Sequence, residues 1–150
     1  MKSKYWLTVL LFIASIKIYG QEVRINNSFV ILINDRLARS AAGLKLIAMD
    51  SKGDKNSING GYYPGVLYVS NEQTKSLLYA DSLKKLTLKF DYYEYAGEKQ
   101  IVHNYSIDID RRWFKESLII VKISDISKRR GTYNYTFEVP GYSFGEIKNK

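Results

Sequence analysis

The stretch that decides the fold runs from Leu83 to Asp110. Its outgoing half is Leu86-Thr87-Leu88-Lys89-Phe90-Asp91-Tyr92-Tyr93 and its returning half is Ile101-Val102-His103-Asn104-Tyr105-Ser106-Ile107-Asp108-Ile109. Between them lies Ala96-Gly97-Glu98-Lys99. Gly97 can take the positive φ that a type II′ turn needs at its first central position. Closing the chain there sets Leu86 against Ile109, Leu88 against Ile107, Phe90 against Tyr105 and Tyr92 against His103. The alternate face carries Thr87 with Asp108, Lys89 with Ser106 and Asp91 with Asn104. Both halves agree on which face is apolar, and a slip of one residue would destroy that agreement. The remaining elements are expected to cover the apolar face.

Working outward, Val23–Ile25 and Phe29–Ile33 read as strands broken near Asn26-Asn27. Asp35–Ala42 reads as a loop or short helical turn, and Gly43–Met49 as a strand buried on both sides. Asp50–Gly61 is rich in Asp, Asn, Ser and Gly and is expected to be a loop. Tyr62-Tyr63-Pro64-Gly65 marks a turn into a strand over Val66–Ser70. Ser70-Asn71-Glu72-Gln73 matches a capping box. A short helix over Glu72–Tyr79 and a strand across Ser76–Ala80 both remain open. Asp110–Lys115 should turn the chain, with Trp113 and Phe114 plugging one end of the core. Leu118–Ile123 is an apolar run of strand length, Ser124–Gly131 a charged loop, and Tyr133–Val139 alternates like a strand. Pro140-Gly141 ends it, and the polar tail Glu146–Lys150 should fray.

These elements predict an all-β, antiparallel β-sandwich of about seven strands, with one short helix as an option. The architecture resembles immunoglobulin-like or transthyretin-like sandwiches, by analogy of layout alone.

The first 20 residues are set apart from the fold. Met1–Lys4 is basic, Tyr5–Ile16 is nearly unbroken apolar sequence, and Gly20 offers a small residue before Gln21. This is the pattern of a secretory signal peptide, which leaves 21–150 as one domain, exported to the periplasm or the extracellular space. The chain has no cysteine, so an exported form relies on packing alone, and thiol chemistry and thiolate metal sites are excluded. Without Lys2, Lys4 and Lys17 the remainder holds 20 basic and 15 acidic side chains, a net of +5. That charge suits solubility and does not call for nucleic acid.

Candidate chemistry is sparse. Gly141-Tyr142-Ser143-Phe144-Gly145 matches the G-x-S-x-G pattern, but the only histidine, His103, precedes it, whereas hydrolases of that pattern carry theirs later in the chain. His103 is expected to be a partly buried imidazole bonded to a tyrosine or a backbone group. Asp50–Asn56 supplies oxygen ligands, yet Lys52 and Lys55 oppose a cation and the spacing is not that of a calcium loop. No metal site, catalytic set or cofactor is expected. Basic residues fall into separated groups: Arg36 and Arg39, Arg111 and Arg112, and Lys128, Arg129 and Arg130.

Tyrosine is the unusual feature, with 11 of 13 lying beyond the signal segment. Tyr93 and Tyr95 point to the polar face of the hairpin, and Tyr62 and Tyr63 sit beside glycines. Exposed tyrosines supply rigid contact area for a protein and can stack on sugar rings. The candidate binding surface is therefore Tyr62, Tyr63, Tyr93 and Tyr95, with Lys128, Arg129 and Arg130. The expected function is a non-catalytic sandwich that binds a protein partner in a bacterial cell-envelope assembly. The alternative is a glycan-binding module.

Overall fold

The computed structural model describes residues 22–25, 27–124, 132–142 and 147–149, the last three by their backbone. The first 20 residues, which the sequence reads as a signal peptide, most of the Ser124–Gly131 loop with Lys128, Arg129 and Arg130, and Ser143-Phe144-Gly145 lie outside the described residues. In chain order the elements are β1 (Val23–Arg24), β2 (Ser28–Ile33), β3 (Arg36–Leu37), β4 (Ala42–Asp50), β5 (Lys55–Tyr63) and β6 (Val66–Val69). Then come α1 (Glu72–Tyr79), β7 (Leu83–Ala96), β8 (Lys99–Ile109), a 3₁₀ turn (Arg111–Lys115), β9 (Leu118–Ser124), β10 (Tyr133–Glu138) and β11 (Ile147–Asn149).

Two sheets form, one in the order β1-β6-β5-β4-β7-β8 and the other β11-β10-β9-β2-β3. This is a sandwich-like all-β fold with one short helix. Its strands are more numerous than the sequence suggested, because several are only two or three residues long. All pairings are antiparallel except that of β2 with β9, where Val30 lies opposite Ile120. A parallel pair needs a long connection, and here β3–β8 supply it.

The central hairpin has the expected register at every position, from Leu86 opposite Ile109 to Ala96 opposite Lys99. Gly97 has φ +65° while Glu98 stays outside the left-handed region, as a type II′ turn requires. Leu86, Leu88 and Ile107 from this sheet meet Phe29, Ile31, Ile119 and Val121 from the other, all fully buried in one core. Each such side chain contributes about 1.5–3 kcal/mol relative to exposure. Trp113 and Phe114 plug one end of the core, Trp113 against Phe137 at 4.4 Å and Phe114 edge-on to Tyr79.

Five readings change. Lys55–Gly61 is strand rather than loop, and Gly60 and Gly61 sit in it for a tertiary reason. A Cβ on Gly60 would lie 2.6 Å from the Tyr68 carbonyl oxygen, and one on Gly61 would lie 2.1 Å from the Tyr68 ring. Asp35–Ala42 contains a tight hairpin: Asn34 (φ +49°) and Asp35 (φ +60°) both take the left-handed conformation between paired Ile33 and Arg36. β4 is buried on one face only, with Leu44, Leu46 and Ala48 inside and Lys45, Ile47 and Met49 outside. The tail pairs with β10 as β11. Glu72–Tyr79 is helical, but its cap is one residue later than the motif placed it. Asn71 Oδ1 accepts the Thr74 N–H at 2.9 Å, and Thr74 Oγ1 accepts the Asn71 N–H at 3.2 Å.

Candidate functional site

The central hairpin is longer than the sheet that supports it. The last β4–β7 pair is Ala42 with Asp91, yet β7 and β8 stay paired for five more positions, Tyr92–His103 through Ala96–Lys99. This end of the hairpin is a two-stranded ribbon that overhangs the sandwich. Tyr93, Tyr95, Ile101 and Val102 are its exposed large apolar side chains, Tyr95 the most open at 71%. Cross-strand pairing puts Tyr93 with Val102 and Tyr95 with Gln100 on one face. Gln100 Nε2 donates to the Tyr95 hydroxyl at 3.2 Å. On the other face Ile101 lies opposite Glu94. There His103 Nε2 lies 2.8 Å from a Glu94 carboxylate oxygen, and its ring stacks parallel to Tyr105 at 6.2 Å. The imidazole is half-buried, as the sequence suggested, and the Glu94 carboxylate is one of its partners.

The outer edge of β8 divides into two halves. At Ser106 the Tyr133 hydroxyl of β10 accepts the backbone N–H at 2.5 Å and donates to the C=O at 2.8 Å. The Tyr135 hydroxyl accepts the Asp108 N–H at 3.4 Å. These contacts show that even-numbered residues of β8 direct their backbone groups away from β7. By the same alternation the N–H and C=O of Gln100, Val102 and Asn104 point outward. Among the described residues no strand pairs with that edge. The other sheet edges are short: two residues in β1, two in β3 and three in β11.

The opposite side of the sandwich is closed by Tyr62. Tyr62 is buried, stands edge-on to Phe29, and its hydroxyl accepts the Ile31 N–H at 3.0 Å. Burial pushes its phenol pKa up, partly offset by that hydrogen bond. Tyr62 therefore leaves the candidate surface. Once β5 is a strand, alternation turns Tyr62 inward and Tyr63 outward. Tyr63 is exposed and stacks on Tyr68 at 5.9 Å, with Gly61 beneath the Tyr68 ring. Burial, and then the negative charge of Glu22, raise the Tyr68 pKa.

The sequence-derived surface thus separates. Tyr93 and Tyr95 share the ribbon, Tyr63 belongs to a second aromatic pair across β4, and Lys128, Arg129 and Arg130 lie outside the described residues. Ile101, Val102 and Tyr68 were not singled out by sequence. The first two sit in an apolar strand pattern, and they are exposed where β7 and β8 run on past the last β4–β7 pair.

Other polar groups serve the fold. Asp50 Oδ1 accepts the N–H groups of Lys52 and Asp54 at 2.8 and 2.9 Å and so shapes the β4–β5 turn. Arg111 donates to the carbonyls of Ala80 and Asp81, and Arg112 clasps Asp110. Among the described residues no three His, Asp or Glu side chains converge as metal ligands would. Comparison with protein-family models, with curated proteins and with solved structures found no match.

Proposed function

We propose that this chain is an exported, non-catalytic β-sandwich that binds a protein partner, as an accessory subunit of a bacterial cell-envelope assembly, and that the overhanging β7–β8 ribbon is its binding surface. The carrying observation is the ribbon itself: four large apolar side chains exposed around a strand edge that no strand pairs among the described residues. Natural proteins shorten, charge or cover such edges unless a partner uses them. The basic start and apolar run of the first 20 residues support export. The test is co-purification of the exported protein with its envelope neighbours. Replacing both Tyr93 and Tyr95 by alanine should abolish retention of the partner and leave the unfolding midpoint unchanged, because both rings lie outside the core. Full retention by a folded double variant would overturn the assignment.

A second reading is favoured by one observation, the stacked Tyr63–Tyr68 pair with Glu22, Arg24 and Asn59 beside it on the same outer face. Aromatic rings flanked by polar groups suit a sugar ring. Under this reading Tyr63→Ala removes retention on immobilised envelope glycan, and the Tyr93/Tyr95 variant does not.

A further inference from the structure

The face of the hairpin that carries Tyr93 and Tyr95 runs on beneath the ribbon as a floor of lysines. Alternate residues of a strand share one side of the sheet, so Lys85, Thr87 and Lys89 of β7 lie on the same face as Tyr93. β4 sets Lys45 directly opposite Lys89. Four residues along β4, Met49 lies between Lys85 of β7 and Lys55 of β5. All four lysines are exposed, whereas Ile47 and Met49 between them are half-buried. Ile47 and Met49 form part of a groove of about 410 Å³ that Lys55, Lys85 and Lys89 also line.

Two carboxylates of β7 and β8 share the face, and both have partners. Asp108 takes Lys85 at 2.8 Å and the Thr87 hydroxyl at 2.7 Å, and Asp91 accepts from Asn104 at 2.7 Å. The Lys45–Lys89 pair is flanked by Asn59 and Ser106 on the neighbouring strands. Like charges placed directly across two strands destabilise a sheet. Beyond residue 20, the stretches outside the described residues hold two carboxylate side chains, Asp125 and Glu146, against Lys128, Arg129, Arg130 and Lys150. Their balance is positive too.

We propose that the lysine floor binds an acidic surface of the protein partner, so that one partner lies over both the ribbon and the floor. The inference rests on the ribbon being the binding surface and names the charge of what that surface takes. The two lysine rows are four residues apart, about 13 Å along the strands, so a single small anion cannot engage both. Carboxylates at positions i and i+4 of an extended segment have that spacing. Two features favour protein over other anionic surfaces. Beside the lysines the ribbon sets aliphatic Val102 next to Tyr93, a mixed apolar row that suits protein side chains rather than the flat of a sugar ring. Ile47 and Met49 are sunk between the lysines, whereas a lipid surface takes apolar groups that protrude. The ribbon then supplies the apolar anchor, and the lysines steer an oppositely charged partner onto it.

The probe is labelled poly-L-glutamate, its binding to the full chain followed by fluorescence anisotropy. Affinity should fall about fivefold or more when Lys45 and Lys89 are both replaced by Gln, the loss of two exposed ion pairs. It should also weaken as ionic strength rises from about 0.01 to about 0.15 M and the screening length shortens from about 30 to about 8 Å. The unfolding midpoint of the double variant should stay level or rise, because a repulsive pair is gone, so lost binding is not lost fold. Arg36→Gln with Arg39→Gln removes the same charge from exposed positions in and beside β3, on the other sheet, and should leave affinity unchanged. Equal losses in the two double variants would overturn the proposal. So would tighter binding of polygalacturonate, or of phosphatidylglycerol vesicles, than of poly-L-glutamate. A folded Tyr93/Tyr95 variant that keeps its envelope partner overturns the ribbon reading, whereas a Lys45/Lys89 variant that keeps poly-L-glutamate overturns only the lysine floor.

Discussion

The hydroxyl of Tyr133 bridges both backbone groups of Ser106, accepting its N–H and donating to its C=O. A side chain of one sheet thereby occupies the hydrogen-bonding edge of the other. The ring is held for this by edge-on contact with Tyr105 at 4.9 Å. Tyr133→Phe keeps the ring and leaves a partly buried N–H without its acceptor, at a cost of about 1–3 kcal/mol. Urea unfolding measures that loss, and faster amide exchange at Ser106 locates it. Tyr135→Phe should cost less, since its bond to Asp108 is long at 3.4 Å.

The two glycines of β5 should respond differently to the same substitution. Gly60→Ala drives a Cβ against backbone, the Tyr68 carbonyl oxygen, which cannot move without shifting β6. A loss of about 1–3 kcal/mol is expected, as for an overpacked site. Gly61→Ala meets only the far end of the Tyr68 side chain, which can swing aside. Its stability cost should be the smaller of the two, while the Tyr63–Tyr68 stack is lost. Denaturation curves separate the costs, and ring-proton shifts report the stack.

Tyr62 and Tyr135 carry phenols whose pKa burial raises. Both bind their protons more firmly folded than unfolded. Their contribution to stability is therefore complete below the ordinary phenol range, near pH 10, and is lost as pH rises through the higher folded values. Unfolding followed against pH should show stability falling above about pH 10. Tyr62→Phe should flatten that fall while lowering stability at neutral pH through the lost bond to Ile31.

Asp110 shows the opposite sign. Its carboxylate is held below the usual range, first by the Arg112 side-chain bonds and then by the Arg112 N–H, against the opposing effect of burial. Its stabilisation is present above the ordinary carboxylate pKa and disappears as pH falls through the lowered one. Asp110→Asn retains an oxygen to cap the 3₁₀ turn and removes only the charge. The expected cost at neutral pH is small, under about 1 kcal/mol, because Arg112 is largely exposed. The gap between variant and parent should close below about pH 4.

What could be read in advance was local. The hairpin register followed from alternation in Leu86–Tyr92 and His103–Ile109 about one glycine, while the polar start of α1 offered a helix only as one of two alternatives. Gly60 and Gly61 misled because their composition resembles a loop, whereas their cause is a ring and a carbonyl some seven residues away in β6. The error carried over to Tyr62: its parity has meaning only once β5 is a strand. The tyrosine count was visible, but the division of labour was not. Tyr62 and Tyr133 spend their hydroxyls on strand edges, and Tyr93 and Tyr95 face water.

Sequence alone determined the sandwich class and the one ribbon that organises it, because side-chain alternation and turn chemistry act between near neighbours. The tertiary structure alone decided that β2 runs parallel to β9, that tyrosine hydroxyls seal two sides of the sandwich, and that the β8 edge is held at Ser106 by a side chain of the other sheet. Those outcomes depend on which apolar faces meet and where each sheet stops. Chain segments far apart in sequence settle both by packing.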